Sequence, residues 1–364
     1  MAHPSPSSSN STAVLTDQKT EEILVSKAGG PKRLKLTTVE MPRPGDGELL
    51  IEMEAAGVAF ADLAVREGQY PNATLPAVPG YDIVGRITAI GEGVEGFEIG
   101  ERIGALTEFG SYTRHRTIPA QWAVKMPTDS DPAELVALIL NYTTAYQLLH
   151  RCARVQSGDW ALVHGAAGGV GQALMQLSAL EGVKTIGTSS AGKQQVVEQL
   201  GGIHIDYNAK DFVDEVMRIT SNEGVDAAFD AIGGKHVQRS YNALSKWGTV
   251  VTYGLSSAFS NSGRFNILRA ASQVFQQPRF KPLNLLSDNR GIVGYGIAGR
   301  RNSRPERLNE DLSTLIKLHG DGLIKPQIAM RLPLEKAAEA QTMLGNRKVT
   351  GKIVLVPSSD FPRF

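Results

Sequence analysis

Trp160-Ala161-Leu162-Val163-His164-Gly165-Ala166-Ala167-Gly168-Gly169-Val170-Gly171 is the stretch whose reading decides the fold. Its first five residues have strand character, and the glycine run leads directly into a helical pattern. In that pattern Val170, Ala173, Leu174, Leu177 and Leu180 fall on one face, the spacing of a helix laid against a sheet. A second strand follows from Val183 to Thr188. Strand, glycine turn, helix and strand within about thirty residues make the unit that binds dinucleotides. Glycine serves there for three reasons: the turn is tight, backbone N–H groups must reach a pyrophosphate, and the helix must lie close to the strand before it. The register reads Ala166-x-Gly168-x-x-Gly171, with alanine in the first place.

About twenty residues on, a unit that takes NAD carries an acidic residue for the ribose 2′-hydroxyl. Here the sequence is Gly187-Thr188-Ser189-Ser190-Ala191-Gly192-Lys193. The strand end has no carboxylate, and the two hydroxyls of Ser189 and Ser190 with the Lys193 ammonium suit a 2′-phosphate. NADPH is the expected cofactor. The alternative for Lys193 is a solvated residue opening the next helix.

With 364 residues the chain has room for two domains, and 41% hydrophobic residues is ordinary for a globular protein. A net charge of +1 gives no electrostatic case for nucleic acid or an anionic membrane surface. The single cysteine, Cys152, excludes an intrachain disulfide and a zinc site built on several thiolates. A reducing, cytoplasmic setting is expected. No apolar run approaches the roughly eighteen residues of a membrane span. Met1 to Thr12, rich in serine, reads as part of a disordered tail over residues 1–20.

After the tail, Ile23 to Val25, Leu34 to Val39 and Leu49 to Ala55 are predicted strands separated by glycine and proline turns. Short apolar pieces alternating with glycines as far as Met126 predict a small irregular barrel. Asp131-Pro132-Ala133-Glu134 predicts a capped helix start, with Glu134 closing a capping box, and a long helix through Leu135 to Leu149. Beyond the glycine turn, strands are expected at Ile203 to Tyr207, Val225 to Ile232, Thr249 to Gly254 and Ile292 to Gly296. Helices are expected at Phe212 to Ile219 and Val237 to Leu244. The fold class is therefore α/β: a doubly wound parallel sheet of six strands plus a β-rich domain. Residues 21–133 would form the β-rich domain and 134–300 the dinucleotide-binding domain. Residues 301–364 would return to the first, with helices at Arg304 to His319 and Leu334 to Leu344 and strands at Pro326 to Leu332 and Lys352 to Val356. The segment Ser257 to Asn289 reads as a flap, a subunit contact or a peripheral excursion.

The order of Gly57-Val58-Ala59-Phe60-Ala61-Asp62, Pro79-Gly80-Tyr81-Asp82, Asn141-Tyr142-Thr143-Thr144-Ala145-Tyr146, the glycine turn and Gly351-Lys352-Ile353-Val354-Leu355-Val356-Pro357 resembles a known family. It is that of the zinc-independent quinone oxidoreductases of the medium-chain dehydrogenase/reductase superfamily. The likeness runs from about Glu21 to Pro357 and implies a GroES-like β-rich domain beside a Rossmann domain. Zinc-dependent members place cysteine, then histidine followed by glutamate, then a second cysteine at the points matching Ala59, Tyr81 with Asp82, and Asn141. None of the three positions keeps its ligand, so the resemblance implies no metal. Without a metal to lower an alcohol's pKa, alcohol oxidation is an unsuitable task.

The resemblance implies NADPH-dependent reduction of quinones or of alkenes conjugated to a carbonyl, by a homodimer. Thr144 would lie under the nicotinamide amide and Ala167, Gly168, Gly169 and Val170 at the pyrophosphate. Ser189, Ser190, Lys193 and Tyr207 would surround the 2′-phosphate, with Arg347 or Lys348 approaching it from the last segment. Ile232, Gly254, Tyr295 and Gly296 would add contacts at strand ends. Tyr70 and Tyr81 are the hydroxyl donors to substrate, with Asp62, Phe60 and Asn141 nearby, although each tyrosine also reads as a packing residue with a wet hydroxyl. Relatives carry asparagine at the point matching Ala59 and tyrosine at the point matching Ala64. A pocket that is wider or more apolar is the expected consequence, with a solvent molecule as an alternative proton donor to the tyrosines. His115, His150, His164, His204, His236 and His319 form no metal-like spacing, and His164 reads as a core residue. Two other functions fit the same fold, a reductase of enoyl thioesters and a non-catalytic cofactor-binding adaptor.

Overall fold

The structure, a computed structural model, describes residues 18–70, 73–258 and 278–358. Most of the expected tail and the middle of the segment from Ser257 to Asn289 lie outside these residues.

Strands β1 (Lys19–Val25) and β2 (Leu34–Glu40) form an antiparallel pair. A second sheet is built from β3 (Glu48–Val58), β4 (Asp82–Ile90), β5 (Arg102–Leu106), β6 (His115–Pro119) and β7 (Val124–Lys125). The parallel sheet holds β8 (Trp160–His164), β9 (Lys184–Ser189), β10 (Ile203–Asp206), β11 (Val225–Asp230), β12 (Leu244–Thr252) and β13 (Gly291–Gly294). The chain then returns to the second sheet through β14 (Ile328–Pro333) and β15 (Lys352–Val356), which lies against β3.

The parallel sheet has the order β10-β9-β8-β11-β12-β13. Counted from β8 this is the doubly wound order with its reversal between β8 and β11, and ligands bind outside the carboxyl ends of strands at such a switch point. β8, β15 and the helix Phe212–Ile219 have the bounds expected of them. β12 starts five residues earlier than expected, at Leu244, because its register against β11 shifts between Val225 and Ala227; Trp247 in that stretch takes a φ of +71°.

The helix Gly169–Leu180 buries Ala173, Leu174 and Leu177 as expected, but Gly171, Met175 and Ser178 are buried too and Leu180 is exposed. It is packed on two sides, by β8 and β9 and by the helix Thr143–Tyr146. A single inward face was therefore too simple a reading. The long helix expected from Leu135 to Leu149 is not one regular helix. An α-turn at Pro132–Ala137 widens to π-geometry over Leu138–Tyr142, narrows at Thr143–Tyr146 and widens again over Gln147–Ala153. Asp131 caps the start by accepting from the Ala133 amide at 3.0 Å. Glu134 does not close the expected capping box: His319 meets its carboxylate at 2.7 Å instead.

Candidate active site

At the switch point the chain leaves β8 through Gly165, whose φ of +67° only glycine adopts freely. Gly168 is the N-cap of the helix Gly169–Leu180, and no side chain caps it. The first N–H groups of a helix have no partner within it, and the helix dipole adds partial positive charge there. The turn therefore presents backbone donors at Gly169 and Val170 that suit a pyrophosphate, while the Gly168 amide, expected to join them, donates to the Gly165 carbonyl at 2.9 Å. Ala167 faces the other way, its carbonyl accepting from the Gly351 amide at 3.2 Å and from Gln172 Nε2 at 2.9 Å, which ties the turn to β15.

Asn141 lies in the first π-widened stretch and is 7% exposed. A side chain on Gly169 would put its Cβ 1.9 Å from Asn141 Nδ2, so the carboxamide lies directly on the glycine turn. Lys352 Nζ donates to Asp82 Oδ2 at 2.9 Å and reaches Asn141 Oδ1 at 3.4 Å. Both charged side chains are buried. Burial pushes the Asp82 carboxyl up, and the Lys352 ammonium opposes that shift. The sequence reading passed over Lys352, although a charged residue opening the apolar run Ile353-Val354-Leu355-Val356 marks a buried partner elsewhere.

The structure brings Tyr70 and Tyr81 together, their hydroxyls 2.7 Å apart. Tyr70 also stands edge-on to Phe109, with ring centroids 5.4 Å apart. Burial raises both phenols above the usual tyrosine range. Asp62 is fully buried and its carboxylate is engaged within the fold. It accepts from the amides of Ala59 and Gly80 at 2.8 and 3.0 Å and from the Tyr112 hydroxyl at 2.9 Å. Burial pushes its carboxyl up to about 7. A carboxyl raised on folding contributes stability below its unfolded value and loses it as pH rises through the folded one. Asp62 should therefore make stability fall between about pH 4 and 7. Asp62→Asn should flatten that part of the profile, measured by urea unfolding at several pH values; an unchanged slope would assign it to another group.

Thr144 is buried on the helix after Asn141, and Tyr295 donates its hydroxyl to Gln147 Oε1 at 2.8 Å one turn along. Gly296 is the N-cap of the helix Ile297–Ser303. The Ile232 amide donates to Asp230 Oδ1 at 2.8 Å, and a Cβ on Gly254 would stand 2.6 Å from the Ala231 carbonyl oxygen. The turns after β11 and β12 thus touch through backbone at the carboxyl end of the sheet.

At the end of β9, Ser189 Oγ lies 2.9 Å from His204 Nε2. Lys193 Nζ donates to the carbonyls of Arg347 and Val349 at 3.0 and 2.6 Å, which keeps one of its three donors. Burial lowers its pKa. Arg347, with a φ of +57°, donates to the Ser256 carbonyl at 2.9 Å. Tyr207 is exposed and Ser190 partly so. Lys348 is exposed on the wall of a cavity of about 840 Å³ that also takes in Gln176, Gln199 and Lys325, away from the tyrosine pair. The sequence reading missed His204, because only the pairing of β10 with β9 brings it to Ser189.

Ligand atoms of His164, Asp230 and His236 lie within 4.8 Å of one another, an arrangement that their spacing in the sequence does not show. The Ser240 hydroxyl fills the point they share, 3.1 Å from His164 Nε2, 2.7 Å from Asp230 Oδ2 and 3.5 Å from His236 Nδ1. His164 Nδ1 lies 3.0 Å from Thr188 Oγ1, and burial holds this imidazole neutral, its pKa pushed down to about 3. The group is a hydrogen-bonded belt across the ends of β9, β8 and β11, and His164 is the core residue expected.

No helix among the described residues is long and apolar enough to cross a membrane. Residues 200–355 match the family model described as zinc-binding dehydrogenase, and residues 45–128 the alcohol dehydrogenase GroES-like domain. The chain is 36% identical over 343 residues to the synaptic vesicle membrane protein VAT-1 homolog of Mus musculus, covering 93% of this chain and 84% of that one. It is 30% identical over 340 residues to a probable quinone oxidoreductase of Schizosaccharomyces pombe, covering 93% and 97%. The crystal structure of Escherichia coli quinone oxidoreductase complexed with NADPH superposes with a TM-score of 0.82 at 27% identity, over 93% of this chain and all of that one. With likeness spanning both sheets and the glycine turn between them, the chain belongs to the quinone oxidoreductase branch of the medium-chain dehydrogenase/reductase superfamily.

Proposed function

We propose that the chain is an NADPH-dependent, zinc-independent reductase that passes hydride to a quinone or an α,β-unsaturated carbonyl compound. The observation that carries this reading is the buried ammonium of Lys352 beside Asp82 and Asn141. At the points where zinc-dependent relatives have ligands, this chain offers a methyl group at Ala59, a phenol at Tyr81 and a carboxamide at Asn141. A fixed cation stands next to the last of these. That donor set does not fit zinc, which takes thiolate, imidazole and carboxylate and would be repelled by the ammonium.

The residues fit the cofactor. Uncapped amides at Gly169 and Val170 suit its pyrophosphate, and the lack of a carboxylate after β9, with Ser189, Ser190, Tyr207 and the free Lys193 donor, suits a 2′-phosphate. Bound NADPH supplies the hydride. Asn141 and Thr144 would orient the nicotinamide ring, and Ile232, Gly254, Tyr295 and Gly296 would add contacts to the dinucleotide at the strand ends. Tyr70 and Tyr81 hold the substrate oxygen, where charge grows as hydride adds, and supply it with a hydrogen bond and then a proton. Asp62 supports this site from below by fixing the backbone at Ala59 and Gly80.

NADPH consumption against a panel of quinones, enones and enoyl thioesters tests the reading. Turnover of thioesters alone would favour the second function considered, and tight NADPH binding with no acceptor would favour an adaptor, a role consistent with the vesicle-protein likeness. Lys193→Ala should raise the Kd for NADPH by about 10- to 100-fold, the worth of one charge-assisted hydrogen bond. NADH binding should change by about twofold, and equal losses for both would remove Lys193 from the phosphate site. Among the described residues no strand pairs with the outer side of β13, and a homodimer is the expected assembly, checked by light scattering.

A further inference from the structure

At the end of β9 the Ser189 hydroxyl stands between two partners. Its oxygen lies 3.1 Å from the Ser190 carbonyl, to which it can only donate, and 2.9 Å from His204 Nε2, to which it can donate or from which it can accept. His204 comes from β10. The register sets Gly187 opposite His204 and Asp206 opposite Ser189, so the imidazole reaches Ser189 on the diagonal, two positions along the same face. Gly187 has no side chain to stand in the way. The two strands are already joined by backbone pairing from Ile203 with Ile186 to Asp206 with Ser189. The side-chain bond is therefore not what holds β10 to the sheet.

A serine hydroxyl has one hydrogen to give. When a phosphate oxygen takes it, a charge-assisted hydrogen bond of about twice the strength replaces the neutral one to the Ser190 carbonyl. That carbonyl is not left without a partner, because it also accepts from the Lys193 amide at 2.9 Å. The Ser189 oxygen is then left to accept, and of its two neighbours only His204 can donate. The neutral ring with its hydrogen on Nε2 and the doubly protonated ring both supply that hydrogen, so the support holds in either state of the imidazole.

We propose that His204 is a positioning residue for the cofactor's 2′-phosphate: its Nε2–H holds the Ser189 oxygen, which directs the Ser189 hydrogen at the phosphate and favours NADPH over NADH. This rests on the NADPH reading proposed above. Lys193, clasped by the carbonyls of Arg347 and Val349, brings charge to the same end of β9. His204 brings direction, and it acts through Ser189 without touching the cofactor.

Fluorescence titration with NADPH and with NADH reads the effect without turnover. Ser189→Ala should raise the Kd for NADPH about tenfold, the lower end for a hydrogen bond to a charged group, and change that for NADH by no more than about twofold. His204→Leu should raise the Kd for NADPH about fivefold, the worth of one neutral hydrogen bond, again with NADH within about twofold. His204→Gln should recover most of that loss, because its amide NH2 reaches about as far as the imidazole Nε2. In the Ser189→Ala background His204→Leu should cost nothing further, since the two residues act through one hydroxyl. A role for His204 in strand packing gives the opposite pattern, with both cofactors weakened alike, no recovery by glutamine and losses that add; any of these overturns the proposal. If Ser189→Ala weakens NADPH while His204→Leu does not, the proposal fails and the 2′-phosphate site stands. If Ser189→Ala leaves the preference between the two cofactors unchanged, the phosphate does not lie at this strand end and both readings fall.

Discussion

Replacing Lys352 by methionine should destabilise the protein by about 3–5 kcal/mol, the cost of stripping one partner from a buried ion pair. The loss should be larger near pH 8 than at about pH 5. Methionine fills nearly the same volume and keeps the apolar stem, so packing contributes little. Asp82 contributes most, because its buried carboxyl is already raised by desolvation and the ammonium is the largest influence opposing that shift, ahead of backbone hydrogen bonds at Asp82 and Leu140. Without Lys352 the folded-state value rises further while the unfolded chain keeps its ordinary carboxyl. Such a group favours folding below the unfolded value and works against it as pH climbs toward the folded one, so the stability gap to native protein widens with pH. Adding Asp82→Asn should recover most of the loss at high pH. Urea unfolding at a series of pH values reads both effects, and a gap that does not vary with pH would show that Asp82 is not left charged. Activity should fall beyond what stability explains, because Asn141 loses the donor that turns its amide toward Gly169.

The parts of this protein legible in the sequence are those whose reasons are local. The glycine turn is one, since a positive φ at Gly165 and a helix pressed on its strand can each be met by a single residue type. β8, β15 and the helix Phe212–Ile219 are others, each a short patterned run bounded by turn residues. The rest depends on partners far along the chain. Nothing near Asn141 announces that the backbone widens there, because the π-turns are shaped by packing against the strands and the helix Gly169–Leu180. Lys352 finds Asp82 across 270 positions and Arg301 finds Glu108 across 193, so neither pair shows as a motif. Asp62 looked like a group for substrate because it stands among family motif residues, yet backbone amides and a tyrosine occupy its carboxylate. Lys193 and Ser189 were singled out by the chemistry expected around a 2′-phosphate, which did not show that Lys193 clasps the carbonyls of the last segment.

Gly171→Ala should reduce NADPH affinity by about 100-fold, the usual penalty for moving binding groups by about an ångström. Helix propensity points the other way, since alanine is favoured over glycine by about 1 kcal/mol inside a helix. Gly171 does not carry the positive φ that would explain its glycine. What forbids a side chain is contact with backbone: a Cβ there would stand 2.3 Å from the Gly165 carbonyl oxygen and 2.7 Å from the Ala166 Cα. Neither atom can swing aside, so the helix must lift from β8 or the turn must open, at an overpacking cost of about 1–3 kcal/mol. Either movement displaces the amides of Gly169 and Val170 that are proposed to hold the pyrophosphate. The neighbouring glycines grade this argument. At Gly169 the obstacle is Asn141 Nδ2 at 1.9 Å, the end of a side chain, so alanine should displace the carboxamide and slow turnover while NADPH still binds. At Gly168 the nearest atom is the Gly165 carbonyl oxygen at 3.2 Å and the backbone is extended, so alanine needs only a small shift and should cost the least affinity of the three. Fluorescence titration with NADPH across the three variants gives the order, and a Gly171→Ala protein that binds as tightly as native would show that the close approach of helix and strand does not hold the phosphate donors in place.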